Sequence, residues 1–313
     1  MHTLAVVLDA PEHIALSEVA LKPPASTDVI VDVEWTGIST GTEKLLWSGA
    51  MPPFPGMGYP LVPGYESVGR IVETGPDATA RRGERVFVGG ARCYDHVHAL
   101  FGGASSRLIV PADKAITIDE TLAEKGVLIA LAATAHHALT LPETKLPELI
   151  VGHGVLGRLA ARLVCALGGE TPTVWENDAA RRAGPHAYTV IESADDQRRD
   201  YKTILDVSGS HAILDSMVAR LARNGDIILA GFYEHALSFN FPPAFMREAK
   251  FRIAAEFQRA DIDAVCALIA QGKLSLDGLI THLRDAREAP DAYRTAFAGG
   301  SCLKMVLDWR MLQ

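Results

Sequence analysis

Apolar positions change their period twice between Glu148 and Glu176. Leu149, Ile150 and Val151 run without interruption, as in a strand covered on both faces. Val155, Leu156, Leu159, Ala160, Leu163, Val164 and Leu167 then recur at helical spacing, with Arg158 and Arg162 on the other face. Gly168-Gly169 stops that helix, and Thr173-Val174-Trp175 predicts a second strand ending at Glu176. The first strand meets the helix through Gly152-His153-Gly154-Val155-Leu156-Gly157. In a strand–turn–helix setting the first glycine permits a tight turn, the second lets the backbone approach a pyrophosphate, and the third lets helix and strand pack closely. The phosphate then sits on the helix N-terminus. The bland alternative is an ordinary βαβ unit with a fortuitous glycine turn.

The acid at the end of the second strand changes the picture. Glu176 is placed to accept hydrogen bonds from the ribose hydroxyls of a dinucleotide, and a carboxylate there repels a 2′-phosphate. Arg181 and Arg182 could neutralise such a phosphate, but they fall five and six residues later, on the next predicted helix. NAD is therefore expected, held by Gly152, His153, Gly154, Val155, Leu156, Gly157, Glu176 and Arg181.

Upstream of the glycine turn the pattern is of short strands punctuated by Gly and Pro: Leu4–Leu8, Val29–Val33, Ser67–Val72, Arg85–Val88 and Ser106–Val110. This predicts a β-barrel-like domain rather than more βαβ units. A helix is expected over Glu124–Leu139. After Glu176, Tyr201–Val207 and Asp226–Ala230 predict further parallel strands around a helix near Ala212–Leu221, and the chain closes with two helices and a strand at Leu303–Leu307.

Composition narrows the partners. The 313 residues suffice for two domains, and 30 basic against 38 acidic residues leave a net charge of −8 without a basic cluster, which argues against nucleic acid. Four scattered cysteines have neither metal-site nor disulfide spacing, so a reducing compartment is expected. The N-terminal stretch has no basic leader, and the longest apolar runs are broken by His136, His137, Arg158 and Arg162. A cytoplasmic protein is expected.

Three further segments carry a family resemblance over nearly the whole chain: Gly37-Ile38-Ser39-Thr40-Gly41-Thr42-Glu43, Pro63-Gly64-Tyr65-Glu66-Ser67-Val68-Gly69 and Gly83-Glu84-Arg85-Val86. Together with the glycine turn they resemble the medium-chain dehydrogenase/reductase superfamily. The resemblance implies an α/β fold: a Rossmann doubly wound parallel sheet domain, 136–257, and a GroES-like β-barrel catalytic domain, 1–135 plus 258–313. It also implies where a catalytic zinc would be bound in the zinc alcohol dehydrogenases of that family. Those places here hold Ser39 or Thr40, Tyr65 and Ala130, and hydroxyls and a methyl are poor zinc ligands. No metal is therefore expected, with Glu66, His136 and His137 keeping an improvised site open.

The wording from Gly37 to Gly69 is similar, more narrowly, to the bacteriochlorophyll-pathway branch, whose members oxidise the 3-(1-hydroxyethyl) group of a bacteriochlorophyllide to 3-acetyl. That resemblance implies a secondary-alcohol dehydrogenase acting on a Mg-chlorin with NAD, and leaves room for peripheral membrane contact and a homodimer. Trp47, Met51, Phe54, Met57 and Tyr59, stiffened by prolines, offer faces to a flat macrocycle, or simply pack on the barrel. Without zinc, the proton acceptor and alkoxide donor fall to side chains. The candidates are Tyr65, Thr42, Glu66, Ser39 and His137, with Thr134 resembling the family's contact to nicotinamide. Each has a structural alternative: Tyr65 as a plug, Glu66 in an ion pair, the histidines as helix residues. Cys93–His98 reads as a loop, with His96 or His98 as a conceivable axial contact to chlorin magnesium. Two other functions stay open: a zinc-free NADPH-dependent quinone or enone reductase, and a non-catalytic nucleotide- or pigment-binding protein.

Overall fold

Leu149–Val151 is the central strand of a six-stranded sheet in the computed structural model, which describes residues 1–78 and 81–313. Every pairing in this sheet is parallel, and its spatial order is Thr189–Ile191, Thr173–Trp175, Leu149–Val151, Tyr201–Asp206, Leu221–Leu229, Lys250–Ile253. The chain starts in the middle, steps to one edge, returns and steps to the other, which is the doubly wound order expected of a dinucleotide fold. Leu149, Ile150 and Ile204 are fully buried because helices must cover both faces of such a sheet. The helix Val155–Ala166 buries Leu159, Ala160, Leu163 and Val164.

The chain divides into two units, Met1–Ala130 with Asp277–Gln313, and Leu131–Leu276. These bounds differ from the expected 1–135, 136–257 and 258–313. The helix Arg259–Ala270 goes with the second unit, where its Asp261 is bound by His136 and His137 of the helix Ile129–Leu139.

In the first unit, Asp28–Ile38 lies in a seven-stranded sheet with Met305–Asp308, Ser67–Thr74 and Arg107–Pro111 as direct neighbours. A four-stranded sheet holds His13–Ala20, His2–Ala10, Leu61–Val62 and His98–Ala99 in that order. Val6, Val31, Val86, Leu108 and Trp309 share one buried core, and burial of each such aliphatic side chain contributes ~1.5–3 kcal/mol. The C-terminal segment is pinned there by the Trp309 indole N–H, which donates to the Thr36 hydroxyl at 2.9 Å.

Candidate active site

Within the second unit, the glycine turn leaves the strand Leu149–Val151 at its C-terminal end. Gly152 has φ +104°, a conformation that disfavours any side chain, and a Cβ on Gly157 would overlap the Gly152 carbonyl oxygen. Gly154 caps the helix Val155–Ala166 without a side-chain acceptor, and the space its own Cβ would take is open. The first-turn N–H groups therefore have no intrahelical partner and can accept a pyrophosphate at the positive end of the helix. The turn thus fits a dinucleotide. Val155 packs inward and Leu156 is half-buried, which leaves their backbone N–H groups as what they can offer a ligand.

Glu176 stands at the end of the strand Thr173–Trp175, its carboxylate accepting from the His153 N–H at 3.1 Å and the Asp178 N–H at 2.9 Å. These bonds fix the carboxylate beside the turn and leave lone pairs for ribose hydroxyls. The side chain of His153, expected at the cofactor, is instead fully buried. Its Nδ1 lies 2.8 Å from the Arg181 carbonyl, which can only accept, so Nδ1 carries the proton and Nε2 accepts from the Tyr188 hydroxyl at 3.0 Å. Burial and the nearby Arg158 push its pKa down to about 4, which keeps it a neutral pin. Arg182 donates to the carbonyls of Glu176 and Asn177, whereas Arg181 makes only a 3.9 Å approach to Asp178 and is half-buried.

Thr134 lies half-buried on the helix Ile129–Leu139. On the same helix His137 Nδ1 is 3.0 Å from Asp261 Oδ2, and His136 Nδ1 is 2.7 Å from Oδ1. Burial alone would raise the Asp261 pKa, but the Gln258 N–H and the two imidazoles override it and hold it below the carboxylate range. Asp261 also completes the capping box of its own helix. This fastening ties His137, a candidate proton acceptor, to the helix Arg259–Ala270 through its Nδ1.

In the first unit three hydroxyls converge. Ser39 follows the strand Asp28–Ile38, Thr42 opens the short helix Thr42–Ser48, and Tyr65 sits in the turn before the strand Ser67–Thr74. The Ser39 Oγ to Tyr65 Oη distance is 2.7 Å, the Thr42 hydroxyl donates to Tyr65 Oη at 3.3 Å, and Ser39 Oγ is 3.3 Å from Thr42 Oγ1. Tyr65 packs edge-on against Phe101, centroids 5.4 Å apart, and Phe101 meets Phe54 edge-on at 6.4 Å. Burial foremost, then the charge of Glu66, push the Tyr65 phenol well above its ordinary value. Tyr65 is thus a neutral hydroxyl at physiological pH, because burial and the Glu66 charge outweigh the hydrogen bonds from Ser39 and Thr42 that act to lower its pKa.

Glu66, the next residue, turns the other way. It is fully buried and ion-paired with Lys304, which is 2% exposed and also donates to the Ile38 carbonyl. A Cβ on Gly37 would overlap its Oε2. Glu66 Oε1 finds no hydrogen-bond partner, and burial, only partly offset by Lys304, raises the pKa of the carboxyl. Glu43 lies beneath the hydroxyls, 1% exposed, accepting from the Ser39 N–H at 2.9 Å and the Tyr293 hydroxyl at 2.7 Å. Burial, outweighing those two bonds, pushes its pKa up to about 7. Glu43, Tyr293 and Lys304 were missed in the sequence. The available signal was a lysine inside the apolar run Leu303–Leu307.

Among the described residues, no three His, Cys, Asp or Glu side chains are grouped to hold a metal ion, and no helix is long and apolar enough to cross a membrane. Of the residues that the resemblance sets in place of zinc ligands, Ser39 and Tyr65 meet through their hydroxyls, and Ala130 is fully buried.

Comparison with known proteins bears on the fold and the family. Residues 25–120 match the alcohol dehydrogenase GroES-like domain. The chain is 54% identical over 315 residues to the 2-desacetyl-2-hydroxyethyl bacteriochlorophyllide A dehydrogenase of Cereibacter sphaeroides, covering 99% of both chains. Its fold matches a protein described as a zinc-binding dehydrogenase of Sinorhizobium meliloti 1021 bound to NADP, with TM-score 0.82, 20% identity and coverage of 98% and 99%. An alcohol dehydrogenase of Escherichia coli CFT073 complexed with NADH gives TM-score 0.82 at 21% identity, with coverage of 98% and 99%. The chain is an oxidoreductase acting on a CH–OH group with a nicotinamide cofactor, and it belongs to the bacteriochlorophyllide dehydrogenase family of the medium-chain dehydrogenase/reductase superfamily.

Proposed function

We propose that the chain oxidises the 3-(1-hydroxyethyl) group of a bacteriochlorophyllide to 3-acetyl, with NAD as hydride acceptor and no catalytic zinc. The observation that carries this reading is the Tyr65 hydroxyl, bonded to Ser39 and Thr42 and set against the edge of Phe101. Phe101 and Phe54 supply an apolar face for the macrocycle, and the hydroxyls supply the polar end. Tyr65 donates to the carbinol oxygen as its negative charge develops. The carbinol proton passes to Tyr65 as Tyr65 hands its own proton to Ser39 and Ser39 hands its own to Thr42, which is half-exposed and releases a proton to bulk water, so that no member holds a full charge at rest. NAD, when bound, takes up the hydride from the carbinol carbon. Glu43 orients Ser39 through its backbone N–H and so positions the relay without touching substrate.

NAD rather than NADP is supported by Glu176, whose carboxylate is fixed beside the glycine turn where it would repel a 2′-phosphate, and by the withdrawal of Arg182 into backbone contacts. The test is to mix purified protein with 3-(1-hydroxyethyl)-bacteriochlorophyllide and either NAD or NADP, following NADH absorbance and the acetyl product. Product with NAD is expected. No product with either cofactor, or turnover only with NADPH and a quinone, would overturn the reading.

A further inference from the structure

We infer that His98 is the axial ligand to the central magnesium of the chlorin, which rests on the function proposed above and adds a substrate-binding residue to it. The strand His98–Ala99 pairs with Leu61–Val62, and the His98 N–H donates to the Pro60 carbonyl at 2.9 Å, so the residue is anchored beneath the loop 51–60. Its imidazole lies on the α-carbon of Gly58. A Cβ there would come within 2.7 Å of Nε2, 2.9 Å of Cδ2 and 3.0 Å of Cε1. Near-equal distances to three ring atoms turn a ring face, not the in-plane lone pair of Nε2, toward the glycine. Gly58 does not have positive φ, so the turn does not demand a glycine there; a methyl at this position would instead have to push the His98 ring aside.

The side chain is exposed, and none of the hydrogen bonds or ion pairs among the described residues engages it. A magnesium already held by four ring nitrogens keeps an axial position that a neutral imidazole can fill. His96, two residues earlier, is the contrast. Its side chain is 89% exposed and its Nε2 is 3.2 Å from Asp95 Oδ2, a contact within its own turn. His98 instead shares one stretch with the aromatic face: Phe101 is three residues on, and Gly56 lies against the Ala99 carbonyl, where its Cβ would be 3.6 Å away. A macrocycle on Phe54 and Phe101 would turn its metal to the imidazole and its rim to Tyr65.

The experiment compares equilibrium binding of hydroxyethyl-bacteriochlorophyllide with that of the same pigment stripped of magnesium, for the wild type, His98→Ala, Gly58→Ala and His96→Ala, with NADH binding as the folding control. Wild type and His96→Ala should prefer the magnesium pigment by about tenfold or more. His98→Ala and Gly58→Ala should bind both pigments alike, the second because its methyl displaces the ring while the imidazole is retained. Retention of the preference by either variant, or its absence from the wild type, overturns the assignment. A wild type that binds NADH but neither pigment overturns the functional reading beneath it, which is a separate result.

Discussion

Around Gly152–Gly157 the groups proposed to hold the cofactor belong to the backbone, and side chains fasten the segments around them: His153 and Arg158 bind the Arg181 carbonyl, and Glu176 binds two N–H groups. Around Tyr65 the groups proposed to act are side chains, and they lie beside two buried acids held by partners from near the C-terminus: Glu43 by Tyr293, Glu66 by Lys304. The first arrangement has a neutral histidine at its centre. The second stores two desolvated carboxyls and a buried lysine under a neutral phenol. Substitutions at the hydroxyl site should therefore disturb stability and turnover together, while substitutions at the glycine turn should change cofactor choice with little else.

The largest effect is expected from Lys304→Met. It leaves Glu66 buried without its cation, at ~3–5 kcal/mol of stability in urea unfolding, and pairing it with Glu66→Met should recover most of the loss because no charge is then stranded. Tyr65→Phe should lower kcat by about 10²–10³-fold with NADH affinity unchanged, since it removes only the group facing the carbinol. Equal losses in kcat and NADH affinity would place Tyr65 among packing residues.

Glu43 sets the next effect. Its pKa rises from 4.5 to about 7 on folding, so between those values the folded chain binds its proton more tightly than the unfolded one. Stability should accordingly fall as pH rises from 4.5 to 7 and stay lower above, by ~3 kcal/mol at 1.36 kcal/mol per pKa unit. Glu43→Gln should flatten that slope in denaturation series at several pH values, and an unchanged slope would mean another group titrates there. The smallest effect belongs to the glycine turn: Glu176→Ala should shift the NAD over NADP ratio of kcat/KM by roughly tenfold toward NADP without changing kcat for NAD.

The two regions also differ in how far residue order foretells them. The glycine turn is a local object: strand, turn, helix and acid lie between Glu148 and Glu176, and hydrophobic period plus glycine chemistry specify it. Arg85–Val88 and the helix from Val155 were legible for the same reason. The side chain of His153 was not, because its partners Arg181 and Tyr188 depend on how the following loop folds back. At the hydroxyl site Ser39, Thr42 and Tyr65 could be singled out by resemblance to a metal-binding pattern they no longer fulfil. Glu43–Tyr293 and Glu66–Lys304 join residues some 240 to 250 positions apart, and no periodicity reports such a pairing. Likewise nothing in the sequence near His136 and His137 announces that the helix Arg259–Ala270 sets Asp261 against both rings.

Metal content measured alongside turnover bears most directly on the claim that hydroxyls replace zinc. Purified protein would be treated with a strong chelator, assayed for zinc by elemental analysis, and given NAD and 3-(1-hydroxyethyl)-bacteriochlorophyllide. Undiminished acetyl product with zinc far below one atom per chain is the expected result. Stoichiometric zinc whose removal abolishes turnover, and whose return restores it, would contradict the relay through Tyr65, Ser39 and Thr42.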